Sequence, residues 1–492
     1  MVSRIFMERG SQGYHGAATK RRRLRSGGEA RSMKKVVSAD GSNRALLALF
    51  DDLTRAGVNV DVYEPDEMFQ VFYWGQGCNT DSSLAMYLAS GRAIWQTVRE
   101  VLAWRFGAPE KVGRLLDFAA GFGRVTRFMV QEIPSDRIWV SDLQADALEA
   151  QGASFGVHTF HSAEDPAALA LPGTFDAVIV SSLFTHLPPS RFTQWLAKLG
   201  GAVAPGGLLL LSVHGAELLA QPTDTIEFKP SSESQKLPGE SYGSTWVSEA
   251  FVRQAVREAL GDAWQVVKFE RGLVSLQDLY VLLPDGATDP ALLRLPRQLD
   301  GFVEHFEIDA ANRLQISGWF ADRQCRQTPV ALRLRLGDTL LTDLGADVFT
   351  VREGVQVVLR DGSLPAWGYA FEVSLTAGWD PGETLSLTCL FSDGGEVPLL
   401  QGTLGWALLR GARVAALYTG YRMQAVEREH AEARERLAEA HRRIAELEDQ
   451  VRVLTPPASR VPGLEAHIRW MEASRFWRLR NHWFSFKKAL RI

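Results

Sequence analysis

Cysteine is scarce: Cys78, Cys325 and Cys389 are the only three in 492 residues. Their number is odd, their spacings are wide, and no CxxC pair or Cys/His cluster accompanies them. That pattern excludes a disulfide framework and a zinc finger, and it points to a reducing compartment. Long hydrophobic runs are also missing; none approaches the ~18 residues of a membrane span. The N-terminal basic stretch has no apolar segment behind it, so no secretory signal is expected and the expected location is the cytoplasm. Neither sign of charge dominates, with 54 Lys and Arg against 58 Asp and Glu. A net charge of −4 gives no electrostatic footprint for nucleic acid, and no basic–aromatic interleaving occurs within the folded parts. No nucleic-acid partner is expected. No nucleophile triad, paired carboxylates or metal-ligand spacing is visible, so no metal is expected.

What is present is enough apolar residue, 46% of the chain, to bury a core. The length suggests about three units of ~150 residues each. Residues 1–40 carry ten Lys and Arg up to Lys35 against Glu8 and Glu29, without apolar period, and read as a disordered basic head. Residues 45–285 alternate helical and strand patterns. Apolar strands are expected at 114–118, 137–141, 157–160, 175–181 and 207–213, separated by helical stretches. This spacing means βαβ units: an α/β fold with a parallel, Rossmann-like sheet and helices on both faces. A strand pair at 264–270 and 273–283, joined at Arg271-Gly272, suggests an antiparallel edge.

Residues 286–297 read as a linker. From 298 to 404 the apolar period becomes two, as in Val330-Ala331-Leu332-Arg333-Leu334, with turn signals such as Gly337-Asp338. That is an all-β, sandwich-like domain. Residues 422–454 are rich in Ala, Glu and Arg. Positions 426, 430, 433, 437, 440, 444, 447, 451 and 454 alternate steps of four and three, and eight of the nine are apolar. The pattern predicts a coiled coil and hence a homo-oligomer, a parallel dimer or trimer; one amphipathic helix on the β domain is the plainer alternative. Pro456-Pro457 opens a linker over 455–463. Residues 464–492 read as one amphipathic helix with Ile468, Phe476, Leu479, Trp483, Phe486 and Leu490 on one face. Basic residues outnumber acidic ones there. Such a helix suits an anionic membrane surface or a docking site on another subunit.

The chemistry concentrates at Leu115-Leu116-Asp117-Phe118-Ala119-Ala120-Gly121-Phe122-Gly123-Arg124. A strand runs into an acid, then a small-residue turn, then a helix; backbone can approach a ligand closely there. Asp142 ends the next strand, where a carboxylate can accept bonds from both hydroxyls of a ribose. Gly173 to Ser182 supplies another buried strand, delivering Ser181 to His186 to the same edge. Ala204-Pro205-Gly206-Gly207 turns into the strand after it. A dinucleotide site would require G-x-G-x-x-G, and Gly121-Phe122-Gly123-Arg124-Val125-Thr126 has no third glycine.

These features, in this order, resemble class I S-adenosylmethionine-dependent methyltransferases over about 45–285. The resemblance implies S-adenosylmethionine as cofactor. It places Gly121 and Gly123 beside the methionine part, Asp117 on the ammonium, Asp142 on the ribose, and the adenine near Ser162 to Glu164. Ala119 stands where the family's first glycine would be, and Ser181 lies at the neighbouring strand end. His186, in Leu183-Phe184-Thr185-His186-Leu187-Pro188, is the candidate base for a hydroxyl acceptor; its plainer role is to hold that loop. His158, His161 and His214 are weaker candidates. Gly301-Phe302-Val303-Glu304, Ile316 to Asp322 and Gly368 to Glu372 resemble a module attached to bacterial surface-polysaccharide glycosyltransferases, and Ser474 to Arg480 resembles the tails of those enzymes. Together they imply O-methylation of a sugar or glycan. The alternatives are a non-catalytic scaffold of the same fold in a glycan-assembly complex, and a methyltransferase for a lipid or small metabolite.

Overall fold

In the computed structural model, the expected alternation becomes a three-layer α/β unit. The structure describes residues 33–39, 43–75, 77–231, 234, 237–273, 277–285, 289–295, 297, 299–322, 328–352, 366–375, 379–454 and 461–489. The head up to residue 32, Cys325 and Pro456-Pro457 lie outside these. The chain enters through β1 (Lys35–Val36), α1 (Arg44–Arg55), β2 (Val62–Tyr63), α2 (Glu67–Gly75) and α3 (Thr80–Phe106). β1 pairs with β2, so Lys35 and Val36 are in a strand where the sequence suggested disorder. Two residues are too short a strand to show an alternation. The Asn43 and Asn79 side chains cap α1 and α3 by accepting from Leu46 and Ser82 N–H.

There follow β3 (Leu115–Phe118), α4 (Thr126–Met129), β4 (Ile138–Asp142), α5 (Ala145–Phe155), β5 (His158–His161), β6 (Phe175–Val180), α6 (Pro189–Gly200) and β7 (Val203–Gly215). The unit closes with β8 (Ile226–Lys229), β9 (Ser244–Val247), α7 (Glu249–Leu260), β10 (Gln265–Phe269) and β11 (Gln277–Leu283). The main sheet runs β10-β11-β7-β6-β3-β4-β5, with β8 and β9 beside the end of β7. β3 to β7 are parallel, and β10 and β11 form the antiparallel edge. β6 and the middle of β7, at the centre of the sheet, are buried on both faces and read as near-continuous apolar runs, whereas the edge strand β5 is largely exposed. Leu115, Ala177, Ile179, Leu208 and Leu210 face α1 to α5. Leu116, Val178, Val180, Leu209 and Leu211 face α6 and α7. The chain leaves β3 toward β4 on one side and reaches β6 on the other. A crevice therefore opens at the carboxyl ends of β3 and β6.

The next domain is a sandwich. β12 (Leu299–Ile308), β13 (Arg313–Asp322), β16 (Phe349–Val351) and β17 (Trp367–Ser374) make one sheet. β14 (Pro329–Leu336), β15 (Thr339–Gly345), β18 (Thr384–Phe391) and β19 (Glu396–Thr403) make the other. Leu314, Ile316, Phe320, Leu332, Leu334, Leu385 and Leu387 fill the space between them. The sandwich is not tethered loosely: Phe302, Trp319, Ala321 and Ala366 belong to the same apolar cluster as α1 and α3. The expected linker contributes as well, with Leu293 buried and Arg297 paired to Asp322 and Asp393.

The last helices differ from expectation. α8 (Leu404–Leu454) starts well before residue 422. Gly405, Gly411 and Gly420 weaken the helical pattern there. Leu404, Ala407 and Val414 are buried and hold the turn. Gly411 is required, because a Cβ there would sit 2.0 Å from the Phe306 carbonyl oxygen. Beside it, Arg410 donates to both Asp52 oxygens and to the Val303 carbonyl, and Arg413 pairs with Asp51. The chain divides into two compact units at Arg422/Met423. In the second unit, the single tail helix is two, α9 (Val461–Ala473) and α10 (Arg475–Ala489). Ser474 separates them: its Oγ accepts from Trp477 N–H as an N-cap. Among the described residues no helix is long and apolar enough to cross a membrane.

Candidate active site

The turn after β3 is built on three residues with positive φ: Ala119 (59°), Gly121 (55°) and Gly123 (78°). An L-residue in that region is strained, and Ala119 accepts the strain. The two glycines serve different ends. A Cβ on Gly121 would meet nothing within 4 Å, so this glycine leaves room. A Cβ on Gly123 would lie 2.5 Å from the Phe155 ring. Gly123 therefore lets α5 seat against the turn. Asp117 is buried in β3 behind the turn and accepts from the Thr126 hydroxyl at 2.9 Å. Burial pushes its carboxyl up to about 7.

Asp142 closes β4 and is tied to that turn. Its Oδ2 accepts the Gly121 amide at 2.8 Å and its Oδ1 the Gln144 amide at 2.9 Å. Burial raises its pKa, and these amides act against the rise. The Ser162 amide donates to the Asp142 carbonyl at 2.9 Å, bringing residues 162–164 to the same edge. On the other side, Ser182 follows β6 with φ 65°. Its amide donates to Ser212 Oγ at 2.9 Å. The Gln277 side chain bridges Ser212 and Ser182 at 2.7 and 3.0 Å.

These edges enclose a cavity of about 520 Å³, well sized for a small ligand. Ala119, Gly121, Asp142, Ser162, Ser181 and His186 line it; Asp117 and Gly123 do not. The wall also holds Arg124, at the end of the motif stretch, and Tyr242, in a segment that resembles the same family, together with Asp66, Glu67 and Tyr87, to which no motif points. Asp66 caps α2, accepting Met68 and Phe69 amides at 2.9 and 3.2 Å, and receives the Tyr87 hydroxyl at 2.5 Å. Its own position just before a helical run was the available signal. Burial raises the Asp66 carboxyl, with Arg124 opposing. Two buried carboxylates, Asp66 and Asp142, thus line the cavity, with Asp117 buried behind the turn. Bringing a cation there relieves the cost of ionising them.

The other end is built around His186. Its Nδ1 lies 2.7 Å from the Gly243 carbonyl, and its ring stacks on Tyr242 at 4.4 Å and 19°. A carbonyl only accepts, so Nδ1 carries the hydrogen and Nε2 of the neutral ring is the basic nitrogen. The Gly243 amide donates back to the His186 carbonyl, and Thr245 Oγ donates to the Leu187 carbonyl. His186 therefore holds its loop to 243–245, its plainer role, and it also lines the cavity. Ser234 Oγ, also in the cavity wall, donates to the Glu67 carboxylate at 3.0 Å. The weaker histidines lie elsewhere. His158 Nε2 meets the Asp136 carbonyl, and its ring stacks on Trp139. His214 is pulled down to about 4 by burial, so it is neutral near pH 7. Among the described residues no group of three or more potential ligands could hold a metal ion.

The cavity fits S-adenosylmethionine. Gly121 leaves the space a Cβ would fill, the carboxylates suit a cation, and Asp142 keeps lone pairs beyond its two amide bonds. Residues 116–209 match the family model described as a methyltransferase domain. No curated protein sequence matches the chain. Among solved structures, it is similar to an S-adenosylmethionine-dependent methyltransferase from Clostridium acetobutylicum ATCC 824. That similarity is at 14% identity, over 40% of this chain and 92% of the other, with a TM-score of 0.29. DesVI from Streptomyces venezuelae is similar at 19% identity, over 45% and 100%, with a TM-score of 0.32. The DhpI–SAH complex is similar at 17%, over 45% and 96%, with a TM-score of 0.31. At such identities none of these likenesses bears on the acceptor.

Proposed function

We propose that this chain, a class I S-adenosylmethionine-dependent methyltransferase, methylates a hydroxyl of a sugar or glycan in the cytoplasm, during assembly of a bacterial surface polysaccharide. The observation that carries the reading is the shared cavity. The Gly121–Asp142 contact lies in one wall and His186, with Nε2 as its basic nitrogen, in another. When bound, S-adenosylmethionine supplies a methyl group on a sulfonium that already carries its leaving group. Asp142 would hold the ribose hydroxyls, Gly121 would leave room for the methionine part, and the 162–164 edge would flank the adenine. His186 takes the proton of the acceptor hydroxyl at Nε2, while the Gly243 carbonyl steadies the hydrogen on Nδ1. The cavity walls exclude water and set the acceptor in line. The sugar as acceptor is supported by the resemblance of residues 301–304, 316–322 and 368–372 to a module of polysaccharide glycosyltransferases.

The stripe along α8 is read as a self-association surface and α9–α10 as a contact with an anionic membrane surface. Phe476, Leu479 and Trp483 are exposed beside Arg475, Arg478, Arg480 and Lys487. Removing residues 464–492 should abolish binding to anionic liposomes, and unchanged binding would end the membrane reading. The catalytic reading is tested by titrating the protein with S-adenosylmethionine in a calorimeter, then screening sugars and glycans for methylated product by mass. Saturable binding and a methylated glycan support it. Binding with methylation of a lipid or metabolite instead would replace the acceptor, and no binding by a folded protein would favour the scaffold.

A further inference from the structure

We propose that residues 430–451 of α8 take a second copy of this chain side by side, parallel and in register, with one row of arginines deciding the direction. The inference rests on the self-association reading above and adds the side chains that set the register and the parallel direction expected from the heptads.

The seam is fixed by spacing. Leu437, Ile444 and Leu447 stand 57, 52 and 45% exposed on a continuous helix, at the three- and four-residue steps of a heptad. His430, Leu437, Ile444 and Val451 share one heptad position, and Ala433, Ala440 and Leu447 the other. The flanks of this seam differ in charge. One carries Arg436 and Arg443; the other carries Arg434, His441 and Glu448. In an antiparallel pair, like flanks face each other, so Arg436 and Arg443 would meet the same residues of the second copy. In a parallel pair, each flank faces the opposite one, five residues on. Arg443 then meets Glu448 of the second copy, twice per pair by symmetry, and Arg436 meets the second copy's His441. In the first arrangement the arginine–arginine contacts offset the Arg434–Glu448 pairs that the other flank would form with itself; the second keeps its Arg443–Glu448 pairs without an arginine–arginine contact against them, so charge favours the second.

Neither arginine is locked elsewhere. Arg443 reaches Glu446 at 2.8 Å and Arg436 reaches Glu432 at 3.3 Å, both within their own helix and well exposed. Such contacts contribute little and can be shared across a seam. His430, a polar group at a seam position, restricts the register, since a shifted pairing would place it against Leu437 of the second copy.

Sedimentation equilibrium on the full chain tests the proposal, with wild type, Arg443→Glu and the double variant Arg443→Glu/Glu448→Arg. The expected result is a self-associating wild type, about tenfold weaker association for the single variant, and recovery in the double variant, which restores both opposite-charge pairs. S-adenosylmethionine titration of each variant checks that the catalytic unit is intact. Tighter association of Arg443→Glu overturns the parallel direction, because it would relieve an arginine–arginine contact; unchanged association overturns the charge argument. In either case the self-association reading stands. A wild type that stays monomeric overturns both.

Discussion

The Gly121 amide and the Asp142 carboxylate meet at 2.8 Å, so the turn after β3 and the end of β4 are one object. The same carboxylate that would hold a ribose also holds the turn that would receive the methionine part. Replacing it removes a binding group and loosens a second one.

Asp142→Ala should therefore weaken S-adenosylmethionine binding by about 10- to 100-fold, the worth of one or two hydrogen bonds to a charged acceptor. Calorimetric titration reads this. A change below twofold in a folded variant would remove Asp142 from the cofactor site.

Ala119 and Gly121 share a backbone conformation but should respond oppositely to exchange. Ala119→Gly relieves a strained φ worth ~1–2 kcal/mol, against an unfolded-state cost of ~0.4–1 kcal/mol. Urea unfolding should show stability unchanged or raised by up to ~1 kcal/mol. Gly121→Ala should lose ~1 kcal/mol and also weaken cofactor binding, since its new methyl would project into open cavity.

Asp117 makes stability depend on pH. Its carboxyl ordinarily titrates at 3.8 and is pushed up to about 7 by burial. The folded chain thus keeps a proton that the unfolded chain releases. This contribution is whole below pH 3.8 and is lost as the pH rises to about 7. Urea midpoints should fall between pH 5 and pH 8 in the wild type and fall less in Asp117→Asn. An equal fall in both would assign the pH dependence to other groups.

His186→Ala should lower kcat on a hydroxyl acceptor by about 10²- to 10⁴-fold while leaving S-adenosylmethionine affinity within a few-fold. Tyr242→Phe keeps the stacking ring and should cost far less than Tyr242→Ala. If the His186 variant retained its rate, the residue would be left with its loop-holding role.

The parallel strands were legible because β3, β4, β6 and the middle of β7 are buried, mostly apolar runs bounded by turn residues; only β5, at the edge, is largely exposed. Asp117, Gly121, Asp142 and Ser181 sit where that pattern puts the edge of the sheet. Asp66 and Tyr87 were not legible. They meet only because α2 and α3 fold against each other, and no local period reports a contact between helices. Gly123 carries a requirement no motif states: its spacing fits a ligand loop, and its missing Cβ is required by Phe155. The early start of α8 was hidden by Gly405, Gly411 and Gly420. The first two of these lie where the helix passes close to neighbouring backbone at Pro381 and Phe306.

Arg410 has a consequence for ancestry. It bonds Asp52 near the start of the α/β unit and the Val303 carbonyl in the sandwich, from the opening turns of the long helix. A recombination point within 286–297, where the sequence offers the easiest cut, would part Phe302 and Trp319 from the cluster they share with α1 and α3, and leave Asp51 and Asp52 without their arginines. Domains joined this way cannot be traded like beads. The segment that must be inherited whole runs from α1 to Arg413, and only the remainder of the long helix and the two short helices after it are free to be exchanged or lengthened.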